Sequence, residues 1–219
     1  MAETRTKVTI IGYGLGNVAS VQNAFLSLGA DCEISREYAT LAQSDCLVLP
    51  GVGAFGDGMA HLAKFDLVGP LTELVMEKRK PILGICLGMQ LMASRGLEHG
   101  EHAGLGWLEG TVKRLEVEEF KLKVPHIGWN DVVACKDSAL LGTAGSISTF
   151  YFVHGYHLES TAEGDASGIC SYGVEFCATI ERNNIFGAQF HPEKSQKAGL
   201  GVLSKFMRVA EAGRHLINA

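Results

Sequence analysis

The segment Pro81-Ile82-Leu83-Gly84-Ile85-Cys86-Leu87-Gly88 begins as a short apolar strand and continues into a helical pattern that carries Met89, Leu91 and Met92. Its second half has the form Gly-x-nucleophile-x-Gly, which is typical of a tight turn that holds a reactive side chain clear of a sheet. Cys86 stands at the nucleophile position. The positive end of the helix dipole would favour its thiolate, the reactive form. A buried structural cysteine is the alternative interpretation.

Strands and helices alternate around this segment in the first half of the chain. Residues 8–11 form an apolar strand pattern, and residues 46–49 predict a strand that is buried on both faces. Pro50 is expected to end that strand and residues 51–58, which are rich in glycine, are expected to form a loop. Alternating strands and helices pair in parallel through right-handed crossovers, so this half predicts a parallel sheet between two helical layers.

The second half is mostly strand-like. Strand patterns cover residues 112–117, 148–153, 174–180 and 185–189, and Asn183-Asn184 is typical of a hairpin turn between the last two. Hairpins pair strands in the antiparallel sense. This half therefore predicts antiparallel strands at one edge of the sheet.

Together the two halves predict an α/β fold, a three-layer sandwich with a mostly parallel central sheet and an antiparallel edge, of the flavodoxin-like type. A closing helical pattern at residues 199–217 is expected to pack back on the sheet. The sequence contains no repeat, linker or low-complexity segment, so we expect residues 1–219 to form a single domain.

The composition argues against several classes of protein. The 219 residues include 19 Lys and Arg against 24 Asp and Glu, a net charge of -5, which removes the broad attraction of a basic surface to nucleic acid or anionic membranes. No apolar run approaches the roughly 18 residues that a membrane-spanning helix needs, and no signal-peptide pattern is present. We expect a cytoplasmic protein that binds neither nucleic acid nor membranes.

The sequence gives no indication of a metal or a cofactor. Its six cysteines include no CxxC pair, which argues against zinc, iron–sulfur clusters and a disulfide framework. The turn Gly12-Tyr13-Gly14-Leu15-Gly16 begins like a dinucleotide-binding fingerprint, but Asn17 stands where the third glycine is needed. We therefore expect no metal and no cofactor.

A histidine with an acidic neighbour follows the predicted strand at residues 185–189. A cysteine nucleophile needs a base, and the base needs a partner that orients it. His191-Pro192-Glu193 supplies both, because residues two apart in an extended chain face the same side. We expect His191 to exchange the proton of Cys86 and Glu193 to hold the imidazole in the required tautomer.

Acyl transfer also requires hydrogen-bond donors for the developing oxyanion. The amide of Leu87 directly follows the nucleophile, and the turn Pro50-Gly51-Val52-Gly53 lies at the carboxyl end of a predicted strand. Open α/β sheets place their sites at that edge, and glycines allow a peptide plane to rotate. We therefore expect an oxyanion hole at Gly51, Val52 and Leu87, although a flexible surface loop is the alternative for the turn.

Three segments together resemble the class I glutamine amidotransferases. They are Pro50-Gly51-Val52-Gly53, Gly84-Ile85-Cys86-Leu87-Gly88-Met89-Gln90 and Gln189-Phe190-His191-Pro192-Glu193. The resemblance implies that Cys86 attacks the side-chain amide of L-glutamine, that His191 protonates the departing ammonia and that Glu193 orients His191. Water then hydrolyses the glutamyl thioester.

Further segments resemble the glutaminase subunits of imidazole glycerol phosphate synthases, which serve histidine biosynthesis. They are Pro125-His126-Ile127-Gly128-Trp129-Asn130, Tyr151-Phe152-Val153-His154-Gly155-Tyr156 and Glu193-Lys194-Ser195. The resemblance implies a separate cyclase subunit with a (βα)8-barrel fold, which receives the ammonia. By matching positions it assigns glutamine binding to Gly53, Gln90, His154, Gly155 and Tyr156. It assigns the subunit interface to Asn17, Trp129, Tyr151 and Lys194.

Three alternatives remain. Glutaminases that supply ammonia for the amidation of surface sugars share almost every one of these motifs. A non-enzymatic paralogue that only stabilises its partner would be expected to lack the thiol, whereas Cys86 is present. A cysteine hydrolase of another amide or ester is the third alternative. The sequence departs from the usual pattern of the synthase subunits at Gly12, Ala19 and Gly155, the last of which stands where Ser or Thr is common.

Overall fold

A computed structural model describes residues 5–160, 162 and 164–217. In chain order the strands are β1 (Lys7–Ile11), β2 (Asp31–Ser35), β3 (Cys46–Gly51), β4 (Ile82–Cys86), β5 (Ala93–Gly96), β6 (His102–Ala103), β7 (Leu108–Arg114), β8 (His126–Ala134), β9 (Ile147–His154), β10 (Tyr156–Ser160), β11 (Ala166–Tyr172), β12 (Val174–Arg182) and β13 (Ile185–Ala188). The α-helices are α1 (Val18–Ser27), α2 (Tyr38–Gln43), α3 (Phe55–Lys64), α4 (Val68–Thr72), α5 (Leu87–Leu91) and α6 (Gln196–Ile217).

Nine strands of the described residues form the main sheet, in the order β2-β1-β3-β4-β13-β12-β11-β8-β9. The strands from β2 to β13 pair in parallel. From β13 to β9 the pairs are antiparallel, beginning with the predicted hairpin at Asn183 and Asn184. The α/β class with a parallel part and an antiparallel edge is therefore confirmed, and the antiparallel part comprises four pairings.

Helices cover both faces of this sheet, because the strands present apolar side chains on each side. On one face Val8, Ile10 and Ile85 join a core with Phe25 of α1 and Phe206 of α6. On the other face Leu47, Leu49 and Ile82 join a second core with Leu62 of α3 and Leu71 of α4. Two separate cores on the two faces of one sheet are the three-layer arrangement that the sequence predicts.

A second, four-stranded sheet with the order β10-β7-β5-β6 packs against the second core. Residues 112–117, which the sequence places in the antiparallel edge, lie partly in β7 of this small sheet. The pairing that recruits β7 is non-local, since Tyr156 of β10 pairs with Arg114. Local strand patterns do not specify such a partner.

Two local predictions in the first half are wrong. Pro50 does not end β3, which continues to Gly51 and pairs Pro50 with Ile85 of β4. Pro50 has no N–H to donate. This costs the sheet no hydrogen bond, because β3 pairs with β1 only as far as Val48. Residues 51–58 are not all loop either, since α3 begins at Phe55. In the described part of the chain, no helix is both long and apolar enough to span a membrane.

Candidate active site

Cys86 ends β4 and immediately precedes α5, and its backbone has φ 53° and ψ -112°. A side chain with a Cβ rarely adopts a positive φ, so the turn is strained. The two glycines around it allow the helix to pass over the sheet. A Cβ on Gly84 would lie 2.7 Å from Cα of Met89, and a Cβ on Gly88 would lie 1.7 Å from the carbonyl oxygen of Leu49. The predicted nucleophile turn is therefore present, with Cys86 at its apex.

His191 and Glu193 lie just beyond β13, at the same end of the parallel strands as Cys86. Nδ1 of His191 is 2.8 Å from Oε1 of Glu193, and both side chains are almost fully buried. The sequence predicts this contact from an extended chain, but Glu193 lies in a short 3-10 turn over Pro192–Lys194. The backbone of His191 is also held, because its amide donates to the carbonyl of Tyr151.

The surroundings of His191 favour its charged form. Burial lowers the pKa of His191, but the neighbouring Cys86 sulfur and Glu193 carboxylate together raise it by more, to about 9. Nδ1 faces Glu193, and Nε2 makes no hydrogen bond of normal geometry among the described residues, although the Cys86 sulfur lies close enough to raise the pKa. This nitrogen is thus available to exchange a proton with the sulfur or with a substrate.

A pocket of about 220 Å³ opens beside Cys86. Every residue that the resemblance assigns to glutamine binding lies on its wall, as do Val52 and Leu87 of the expected oxyanion hole. The wall consists of Val52, Gly53, Cys86, Leu87, Gln90, Glu98, Val153, His154, Gly155 and Tyr156. Gly51 does not line the pocket, but it pairs with Cys86 in the register of β3 and β4.

Glu98 and Val153 are pocket residues that the sequence analysis missed. Glu98 lies between β5 and β6, and one of its carboxylate oxygens, Oε2, accepts from the amide of Phe55 at 2.8 Å. No motif surrounds Glu98, and the fold alone brings it to the pocket. Val153 stands within a quoted segment, and its carbonyl lies 3.9 Å from the Cys86 sulfur.

Three of the four residues expected at a subunit interface lie together. Trp129 on β8 pairs with Tyr151 on β9, their rings meet edge to face, and Nζ of Lys194 lies 5.9 Å from the centre of the Tyr151 ring. Trp129 is 49% exposed. Asn17 lies apart from them as the N-cap of α1, where its side chain accepts from the amide of Ser20.

Two buried histidines lie in contact at the pocket, His154 on its wall and His126 outside its lining. Nδ1 of His126 is 3.2 Å from Nε2 of His154, and His126 stacks between the rings of Phe152 and Tyr172. Burial lowers the pKa of His126 to about 4 and is also the main cause that lowers the pKa of His154, to about 3. Both imidazoles are therefore neutral in the folded protein near pH 7.

We expect the free energy of unfolding to decrease as the pH falls from about 6.5 towards 4. The upper limit is the usual pKa of a histidine, and the lower limit is the pKa of His126 in the folded protein. In this range the unfolded chain binds protons on His126 and His154, while the folded chain does not. Their stabilisation is complete above the unfolded pKa and is lost as the pH falls towards the folded values. Each histidine contributes a slope of up to about 1.4 kcal/mol per pH unit.

Urea unfolding at a series of pH values measures this slope. The variant His126→Gln removes one of these proton-binding groups and serves as the control, since the carboxylates of the chain and His157, whose pKa burial also lowers, titrate in both proteins. A shallower slope in the variant is the expected result. Equal slopes would contradict the assignment.

The family model "Glutamine amidotransferase class-I" matches residues 9–209. The chain therefore belongs to the class I glutamine amidotransferases, a class of enzymes. Solved structures agree in fold: PurLQS from Thermotoga maritima has a TM-score of 0.74 at 16% identity and covers 94% of this chain and 99% of its own. A glutamine amidotransferase from the same organism has a TM-score of 0.62 at 18% identity, with coverage of 98% and 86%.

Curated relatives place the chain more narrowly. It is 44% identical to the imidazole glycerol phosphate synthase subunit HisH of Moorella thermoacetica, over 97% of this chain and 98% of the relative. It is 43% identical to subunit HisH 2 of Pseudomonas aeruginosa, over 92% and 99%. Within its class, the chain is thus a member of the HisH family of imidazole glycerol phosphate synthase subunits.

Proposed function

We propose that the chain hydrolyses L-glutamine to glutamate and ammonia through Cys86, His191 and Glu193. The observation that carries this proposal is a cysteine on a strained strand-to-helix turn, at the wall of a pocket, beside a buried histidine and carboxylate pair. The thiolate forms a bond to the carbonyl carbon of the side-chain amide of glutamine. The C–N bond of that amide then breaks, and His191 gives its proton to the departing ammonia. Water then releases glutamate from the thioester and restores the thiol.

The pocket wall supports glutamine as the substrate. Gly53, His154, Gly155 and Tyr156 line the wall, and the Gln90 carboxamide lies there with its nitrogen on Tyr156 and Gln189. We propose that the oxygen of this carboxamide accepts from the substrate. An amino acid also carries an ammonium group, which requires an anionic partner when it leaves water. We propose that Glu98 fills this role.

The amide of Leu87 and the turn at Gly51 and Val52 are proposed to stabilise the oxyanion of the tetrahedral intermediate. Leu87 begins α5, where backbone N–H groups have no partner within the helix. Val52 is 42% exposed, and Gly53 has a φ of 109°, which suits glycine. The turn is therefore able to reorient its peptide planes when a partner covers it.

The ammonia is proposed to pass to a separate cyclase subunit with a (βα)8-barrel fold, which forms imidazole glycerol phosphate and an aminoimidazole carboxamide ribotide. The names of the relatives support a synthase subunit. Exposed apolar side chains beside the pocket support a partner, since Ile127, which pairs with the pocket residue Val153, and Trp129 on the same strand β8 are 61% and 49% exposed. With Asn17, Tyr151 and Lys194, Trp129 would form the contact.

Residues 1–219 are proposed to act as one glutamine amidotransferase domain in the cytoplasm, without a cofactor and without binding nucleic acid or membrane. The net charge of -5 supports the last point. A sugar-amidating partner is the alternative, and the relatives do not favour it, because they are named as HisH subunits.

The test is glutamate release from glutamine by the chain alone and with a cyclase barrel and a phosphoribosyl ligand. Strong stimulation by barrel and ligand together is expected. Hydrolysis that does not respond to the barrel would contradict the proposed partner, while leaving the glutaminase. Absence of glutamate in every mixture would contradict the glutaminase itself.

Glu193→Gln is expected to lower kcat by at least about 100-fold, because a neutral amide neither fixes the tautomer of His191 nor stabilises its charge. Since the Glu193 carboxylate raises the pKa of His191, the alkaline limb of the activity should also move to lower pH in this variant. Initial rates of glutamate release from pH 6 to 10 measure both effects. An unchanged alkaline limb would show that Glu193 does not act on His191.

A further inference from the structure

Gln189 is a fully buried polar residue that the proposed reaction does not use. It follows β13 and is two residues before His191, and its side chain is 0% exposed. The Gln189 carboxamide bridges two residues of the active site. Its Oε1 is 2.9 Å from Nε2 of Gln90, and its Nε2 is 3.7 Å from the sulfur of Cys86.

The surrounding hydrogen bonds fix which end of this carboxamide faces the sulfur. The carbonyl oxygen of Tyr156, 2.8 Å from the Gln90 side chain, can only accept, so the Gln90 amino group faces Tyr156. The same amino group also faces Gln189, which must then present its oxygen. The amino group of Gln189 is thereby directed at Cys86.

A chain of imidazoles holds the Tyr156 carbonyl in this position. His154 lies with Nδ1 2.9 Å from that oxygen, so it must donate through Nδ1 and accept through Nε2. His126 then donates its Nδ1–H to His154. Its Nε2 faces the side-chain nitrogen of Asn130, which also donates to the Ser171 carbonyl at 2.9 Å. Each donor in this series thus meets an acceptor.

The contacts of the Cys86 sulfur differ between its two protonation states. The thiol can donate to the Val153 carbonyl at 3.9 Å, and it accepts from Gln189 at 3.7 Å. When the proton leaves, the Val153 carbonyl faces a negative sulfur, whereas the N–H donor of Gln189 remains a favourable contact, as does the charged His191. Gln189 therefore interacts more strongly with the thiolate than with the thiol.

We propose that Gln189 is a further residue of the catalytic centre, whose carboxamide donates to the Cys86 thiolate and holds it beside Gln90. This inference rests on the proposed glutaminase function for its effect on turnover. The contact with the sulfur itself does not depend on the substrate.

The test is Gln189→Met, which keeps the length of the side chain and removes the donor. Three quantities are measured at one fixed pH. They are the rate at which iodoacetamide alkylates Cys86, followed by mass spectrometry, and the kcat and KM for glutamate release. Because Gln189→Met removes a hydrogen bond to a charged group, we expect both the alkylation rate and kcat to fall by about 10- to 100-fold. KM should change less than about threefold, because Gln90 keeps its bond to Tyr156.

Thr179→Val is the matched control. Thr179 is also fully buried, on the neighbouring strand β12, and its hydroxyl is 2.8 Å from that of Ser167, outside the network around Cys86. The control should match Gln189→Met in thermal stability and keep the wild-type alkylation rate and kcat. Cys135, which is exposed, reports the activity of the reagent within each molecule.

Wild-type rates in Gln189→Met, or an equal slowing in Thr179→Val, would overturn the inference. Alkylation needs no glutamine, so it also separates this inference from the proposed function. If the wild-type chain released no glutamate in any mixture, with or without the cyclase barrel, the glutaminase would be refuted. Slower Cys86 alkylation in Gln189→Met would still support the contact.

Discussion

Cys86→Ala is expected to abolish glutamine hydrolysis, with a loss of at least about 10⁴-fold in kcat. Without the sulfur no thioester forms. Among the described residues that line the pocket, no other thiol could replace Cys86. Alanine and cysteine both carry a Cβ, so the strained φ of 53° at this position is equally costly for both. The loss should therefore appear in glutamate release and not in thermal stability.

Cys170→Ala is the matched control, since Cys170 is 1% exposed and lies in the core away from the pocket. We expect this variant to keep kcat within about twofold while losing about 1 kcal/mol of stability through a small cavity. Inactivation by both substitutions would mean that activity is lost through the fold rather than through the nucleophile.

The nucleophile turn could be predicted because its determinants are local. A buried strand, a helix and the glycines at 84 and 88 stand within a few residues of Cys86, and the structure shows why both glycines are needed. The same holds for the hairpin between β12 and β13, in which Asn183 has a φ of 56°. Residues adjacent in sequence determine such features by their own backbone preferences.

The start of α3 could not be predicted, because a residue distant in sequence accepts a hydrogen bond from its N-terminal N–H. Ala54, the N-cap residue, offers no side-chain hydrogen bond, and Gly56 and Gly58 are poor helix formers. The amide of Phe55 instead donates to Glu98, 43 residues further along the chain. The small sheet of β10, β7, β5 and β6 was missed for a similar reason, since its pairings join distant segments.

The candidate site divides in the same way. Cys86, His191 and Glu193 stand in motifs whose spacing indicates their chemistry. The structure places Cys86 on the pocket wall, with the buried pair of His191 and Glu193 beside it. No sequence motif surrounds Glu98. Its place at the pocket could therefore be recognised only from the fold. Gln189 lies inside a recognised motif, but its contact with the sulfur depends on the side-chain orientation set by Gln90.

Gly88→Ala is expected to have the largest effect on stability. The added Cβ would lie 1.7 Å from the carbonyl oxygen of Leu49, in the middle of the parallel sheet. The added Cβ is attached to the backbone of α5, and the carbonyl belongs to the backbone of β3. Neither can move without displacing the nucleophile turn or the strand. We expect a loss of more than about 4 kcal/mol, or a decrease in Tm of about 10 °C or more.

Gly201→Ala provides the matched control for this expectation. Gly201 also lies in a helix, α6, and a Cβ there would have no atom within 4 Å. Alanine favours the helix by up to about 1 kcal/mol over glycine, so this variant should melt at or slightly above the wild-type temperature. Since helix propensity acts in the same direction at both positions, a difference in Tm between the two variants measures the contact with Leu49. Similar melting temperatures would show that α5 can move away from β3. The close approach of the helix to the strand would then not explain why position 88 is a glycine.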